Sequence, residues 1–127
     1  MTIHKGGCHC GRVEFEIEAS AIIEAAECNC SICSMCGFLH LFVSRKNFRL
    51  LKGEDELSTY TFNTRVAQHY FCGHCGIKSF YIPRSHPEGY SINVHCLDPA
   101  TIESITVEPF DGRNWEKNVA GLSPLSD

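Results

Sequence analysis

Nine cysteines stand in a chain of 127 residues, and seven of them fall into three tight groups: Cys8-His9-Cys10, Cys28-Asn29-Cys30-Ser31-Ile32-Cys33 and Cys72-Gly73-His74-Cys75. So many thiols must be either paired as disulfides or gathered around metal, and either arrangement dictates which distant segments meet. The count is odd, and C-x-C and C-x-x-C spacings suit a metal better than a set of structural disulfides. The stretch from Met1 to Cys8 has no apolar run that would serve as a signal peptide, and no run of about 18 apolar residues is available to span a membrane. The expected setting is therefore the cytoplasm, and the nucleus as an alternative, where thiols stay reduced.

Zinc in a closed structural site takes four ligands in a tetrahedron, and a C-x-x-C turn presents two thiolates while backbone N–H groups donate to the sulfurs. The first and third groups offer two thiolates each, Cys8 with Cys10 and Cys72 with Cys75. Joined, they make a four-thiolate site that ties the N-terminal segment to the middle of the chain. The neighbouring Gly6, Gly7, Gly11, Gly73 and Gly76 are expected to allow tight, positive-φ turns around the ion. Metal held this way adds on the order of 10 kcal/mol to folding, comparable to the whole stability of a small domain.

The second group differs. Cys28, Cys30 and Cys33 place three thiolates within six residues. Three protein ligands with an open fourth position are the pattern of a catalytic zinc, and an incoming thiol is one group that position can take. A fourth ligand from Cys36, Cys96 or a histidine would instead make a second closed structural site. Either way, two zinc ions per chain are expected.

The surrounding sequence reads as strands. Val13, Phe15, Ile17 and Ala19 alternate with Arg12, Glu14, Glu16 and Glu18, which predicts a strand with one wet face. Residues 39–43, 59–62, 66–71, 77–82 and 90–94 are further short segments rich in β-branched and aromatic residues. Asn63-Thr64-Arg65 reads as a hairpin turn, and Pro83 and Pro87 mark a loop. Helix is predicted only as a turn over residues 31–35 and a short element over 112–117. With no linker or repeat, the chain is expected to form a single mainly β zinc-binding domain over residues 1–127. A domain of this length buries about two thirds of its unfolded surface.

A net charge of -4 and the lack of any lysine or arginine block argue against nucleic-acid binding by this chain alone. His9 and His74 sit inside the cysteine turns, where crowding disfavours ligation, and His40 and His69 read as packed strand residues. His95 and Cys96 form an adjacent metal-competent pair at a strand end. Arg84 and Ser85 are candidates for holding an anionic substrate from the proline-bounded loop.

Gly7-Cys-His-Cys-Gly11, Cys28-Asn-Cys-Ser-Ile-Cys33, Phe71-Cys72 with Cys75-Gly76, Ser79-Phe-Tyr81 and Cys96-Leu-Asp98 together resemble the glutathione-dependent formaldehyde-activating enzymes and centromere protein V. Residues 50–53, 59–64, 81–85 and 111–117 look closest to the centromere protein V branch. The resemblance implies an Mss4-like fold of several coiled β-sheets stabilised by zinc. It also implies a structural site at Cys8, Cys10, Cys72 and Cys75 and a catalytic site at Cys28, Cys30 and Cys33. The activity implied is that of a carbon–sulfur lyase joining glutathione and formaldehyde as S-hydroxymethylglutathione, or reversing that step, so the implied partner is a small thiol such as glutathione. Two other readings fit the same cysteines: a non-enzymatic zinc scaffold for a protein partner, and a redox or metal sensor in which Cys36 or Cys96 forms a disulfide with a ligand thiolate.

Overall fold

The computed structural model describes residues 1–62 and 66–111, so the turn expected at 63–65 and the helix expected at 112–117 lie outside the described residues. The architecture is mainly β. In chain order the strands are β1 (Thr2–Gly7), β2 (Glu14–Ala19), β3 (Ile22–Cys28), β4 (Leu39–Ser44), β5 (Phe48–Lys52), β6 (Leu57–Tyr60), β7 (Gln68–Cys72), β8 (Phe80–Ile82), β9 (Gly89–Asn93) and β10 (Ser104–Phe110). One six-residue helix, α1 (Ser31–Cys36), interrupts them. A three-stranded sheet runs β1-β2-β5 and a seven-stranded sheet runs β10-β3-β4-β9-β8-β7-β6. No described helix is long and apolar enough to cross a membrane.

The alternation read in the sequence is what packs the two sheets together. Val13, Phe15 and Ile17 are each 0 % exposed, and Phe15 meets Phe80 of the larger sheet edge-on at 5.5 Å and Phe48 of its own sheet at 5.6 Å. The charged residues of β2 face water, where Arg49 on β5 bonds Glu16 at 2.7 Å and Glu18 at 3.0 Å. Strand β4 is buried on both faces, as a central strand must be. Leu41 and Val43 join the hydrophobic core, while His40 and Phe42 stack on each other at 5.9 Å. On that second face the register lines up Phe42, Ser91, Tyr81, His69 and Tyr60 across five strands.

The segment expected as a strand over 77–82 begins its ladder only at Phe80. Residues before it are drawn into a turn, since the Cys72 amide donates to the Ile77 carbonyl at 3.0 Å. The glycine expectation holds in part. Gly11 and Gly76 have φ of 82° and 77°. Gly6 and Gly7 instead serve close packing, because an added Cβ would lie 2.6 Å from the Phe15 ring and 2.4 Å from the Val13 carbonyl oxygen respectively.

Candidate metal centres and their surroundings

Strand ends deliver the first cluster. Cys8 and Cys10 follow β1, Cys72 ends β7, and Cys75 lies across the Gly73-His74 turn. Their four sulfurs all lie within 4.8 Å of one another, with Cys8 to Cys10 and Cys10 to Cys72 both at 3.6 Å. A sulfur–sulfur bond would be about 2.05 Å. Four sulfurs around zinc at about 2.3 Å would lie about 3.8 Å apart, so the spacing fits an ion and excludes a disulfide. The surroundings suit thiolates as well: the Val13 amide donates to Cys8 at 3.3 Å and the His74 amide to Cys72 at 3.4 Å. The Arg12 amide, and after it the Arg12 guanidinium, hold the Cys10 thiol below its usual range. The Ile77 amide, followed by that of Cys10, brings Cys75 down to about 6. His9 is exposed, and His74 Nε2 bonds the Glu56 carboxylate.

The second cluster forms where β3 gives way to α1. Cys28 closes the strand, Cys30 is the helix N-cap and Cys33 is the buried residue of the helix. Gly37, with φ of 63°, ends the helix by donating its amide to the Cys33 and Ser34 carbonyls. The three sulfurs lie within 4.8 Å of one another. Cys30 is held down to about 2, first by the hydrogen bond from Cys28 and then by that from Cys33, while Cys28 is pushed up first by its contact with Cys30, and Cys33 first by its contact with Cys28 and then by that with Cys30. One thiolate sharing the protons of two thiols resists further ionisation, and a divalent cation relieves that resistance. The donor set therefore fits zinc.

Among the described residues, this cluster contains three ligand groups and no fourth. Cys36 is exposed at the end of α1, outside the 4.8 Å group. Cys96 lies toward the first cluster: its thiol bonds Ser79, feels Cys8 and Cys75, and is raised to about 11 chiefly by burial. His95 lines a cleft of about 670 Å3 with Cys28, Asn29, Cys33 and Asp111. The parallel β3–β10 pair forms this cleft's edge by setting Phe110 opposite Cys28, and the Asn29 side chain donates to Asp111 at 3.1 Å. Arg84 and Ser85 do not line it; Ser85 Oγ lies 2.8 Å from His86 Nδ1, whose ring stacks on Phe42.

A buried polar group behind the second cluster escaped sequence reasoning. Lys78, only 8 % exposed, places Nζ 2.7 Å from His69 Nδ1 and 4.0 Å from the Tyr81 ring centre. Tyr81 OH is 3.3 Å from His40 Nδ1, which also lies 2.8 Å from Ser91 Oγ. Burial, and after it the charge of the Cys33, Cys28 and Cys30 sulfurs, pushes the Tyr81 phenol well above its usual range, so it keeps its proton. Burial first and Lys78 second lower His40 to about 3 and His69 to about 4. Both imidazoles are thus neutral at pH 7, and the Nε2 atom of each is buried without a hydrogen-bond partner. The signal for this group was a lysine inside the apolar run from Ile77 to Ile82, which on a strand must be either exposed or neutralised.

The family model described as glutathione-dependent formaldehyde-activating enzyme matches residues 3–111. The fold is similar to a crystal structure of a Rhodobacter sphaeroides protein, with a TM-score of 0.70 and 37 % sequence identity over 80 % of this chain and 99 % of that one.

Proposed function

Because the chain belongs to the glutathione-dependent formaldehyde-activating enzyme family, we propose that it is a carbon–sulfur lyase-type enzyme acting on a thiol adduct such as S-hydroxymethylglutathione. Its catalytic centre is the group Cys28, Cys30 and Cys33, and it carries two zinc ions, one in each cysteine cluster. The observation that carries this reading is the unequal ligand count, four sulfurs in one cluster and three in the other. A four-thiolate shell is saturated, whereas three thiolates leave zinc one position for a thiol, whose pKa it lowers toward neutrality as a Lewis acid.

In the forward direction a bond forms between the thiol sulfur and the aldehyde carbon. The carbonyl π pair moves to oxygen, and the proton lost by the thiol ends on that oxygen; the reverse reaction undoes each step. The peptide part of the thiol fits the cleft beside Cys28 and Cys33, whose volume of about 670 Å3 lies within the usual range of small-molecule sites. Arg84 and Ser85 have no part in this reading.

Exchange spectroscopy on 13C-formaldehyde with glutathione tests it, because the uncatalysed exchange supplies an internal reference. Zinc-loaded protein should speed interconversion with S-hydroxymethylglutathione, and Cys30→Ser should return the rate to the uncatalysed value. No acceleration by protein of full zinc content would refute the enzyme reading.

A further inference from the structure

A thiol that adds to an aldehyde gives up a proton, and that proton must travel from the sulfur to the new oxygen. Besides the sulfurs, the cleft at the second cluster is lined by three titratable side chains among the described residues, Glu27, His95 and Asp111. Asp111 already accepts from the Asn29 side chain at 3.1 Å. Imidazole is the side chain that both takes up and releases a proton near pH 7, which a carboxylate does poorly. His95 is also anchored more firmly than its exposure suggests. It is the middle residue of the 3-10 turn Val94–Cys96, and that turn is clamped at both ends. Before it, the buried Asn93 side chain accepts from the His95 amide at 3.2 Å and from the Leu39 amide at 3.4 Å, and donates to the Lys78 carbonyl at 3.2 Å. Leu39 itself lines the cleft. After it, Leu97 donates its amide to the Val94 carbonyl at 3.1 Å and bridges to Gly6 at the end of β1. The backbone from which the imidazole reaches the cleft is therefore fixed, as a positioned catalytic group requires.

From this placement we infer that His95 is a catalytic residue of the second centre, the carrier that moves the proton between the thiol sulfur and the aldehyde oxygen. The inference rests on the reading of that centre as a site for a thiol adduct. Neutral His95 takes the proton of the incoming thiol. The sulfur bonds the aldehyde carbon while the carbonyl π pair moves to oxygen, and His95 returns the same proton to that oxygen, so no co-reactant is consumed. In reverse, His95 takes the hydroxyl proton of the adduct and gives it to the departing sulfur. The other side of the turn borders a cleft of about 460 Å3 shared with Lys5, Cys8, Glu14, Cys96 and Asp98. These, with Glu27, Cys28, Cys33 and Asp111, are the titratable groups lining the two clefts beside His95 among the described residues. An open rim position suits the role, since it lets the imidazole exchange protons with solvent between turnovers.

Exchange spectroscopy with 13C-formaldehyde and glutathione on zinc-loaded full-length protein tests this in wild type, His95→Gln and His95→Ala. The clamp on the turn uses only the His95 backbone amide and the side chain is exposed, so both variants should fold. The protein-dependent part of the rate should fall about a hundredfold in each, the usual worth of one general acid–base group. Two further readouts separate proton transfer from metal ligation and from structure. On cobalt-substituted protein, the variants should keep the wild-type absorption spectrum, and their affinity for 2-mercaptoethanol should stay within about twofold. In His95→Ala the residual rate should rise with the concentration of HEPES, a soluble proton carrier that is too bulky to ligate the metal, whereas the wild-type rate should not depend on it. A cobalt spectrum altered before any thiol is added would make His95 a ligand and overturn the inference, as would a matching loss of thiol affinity. Acceleration that survives both substitutions overturns this inference and leaves the lyase reading standing. If wild-type protein of full zinc content gives no acceleration, the lyase reading fails and the inference with it.

Discussion

Replacing one ligand in each cluster should have unequal consequences, because the clusters close loops of very different length. Cys10 and Cys72 are 62 residues apart in sequence, whereas Cys28, Cys30 and Cys33 lie within six. Treating each metal as a cross-link, the chain-entropy relation gives about 4 kcal/mol for a loop of about 60 residues and about 2 kcal/mol for one of about 5. Cys72 is also 1 % exposed and packs into the hydrophobic core, so Cys72→Ser adds a buried hydroxyl and a further penalty of about 1–3 kcal/mol. At about 3–5 °C per kcal/mol for a domain of this size, Cys72→Ser should lower Tm by about 15 °C or more, or prevent folding. Cys30→Ser should lower it by less than about 10 °C and leave one zinc per chain. Circular dichroism melts with metal analysis measure both. Equal losses in the two variants would refute the division between a fold-closing and a local site.

Phe15→Ala should destabilise by about 3–5 kcal/mol, since it empties the contact between the two sheets; denaturant titration with an unchanged m-value checks this. Gly53→Ala combines φ of 96° with a Cβ placed 2.3 Å from the Arg12 carbonyl oxygen, so the backbone must shift, and a Tm lower by about 10 °C is expected from a penalty above 2 kcal/mol. His40, brought down to about 3 by burial, binds fewer protons folded than unfolded between pH 3 and the unfolded value of about 6.5. Its stability contribution is therefore fully present above about pH 6.5 and is lost as pH falls toward 3. His40→Gln should flatten the fall in urea stability between pH 7 and pH 5 by about 2 kcal/mol when metal content is held constant.

The parts of this molecule legible in the sequence are those set by local spacing. The C-x-C and C-x-x-C groups fix which sulfurs can share an ion, and the two-residue period of Val13, Phe15, Ile17 and Ala19 fixes which face of β2 is buried. Strand β3 gave little signal because Ala25 and Ala26 have weak strand preference, and its parallel partner β10 lies about 80 residues away. The side on which Cys96 falls depends on how the turn after β9 packs, so adjacency to His95 says nothing about which cluster it approaches. Lys78 was hidden for a similar reason. Its neighbours Phe38, His69 and Tyr81 come from three separate segments, and only packing makes a cation box of them.

Zinc K-edge absorption on the purified protein, with and without glutathione, tests the central claim most directly. With two ions per chain, one in a four-sulfur shell and one in a three-sulfur shell, the account predicts an average of about 3.5 sulfurs and 0.5 lighter ligands per zinc. Millimolar glutathione should raise this to about 4 sulfurs, and Cys33→Ser should abolish the change while the first cluster keeps its metal. A shell of four sulfurs at both ions before any thiol is added, unaltered by glutathione, would contradict the open second site.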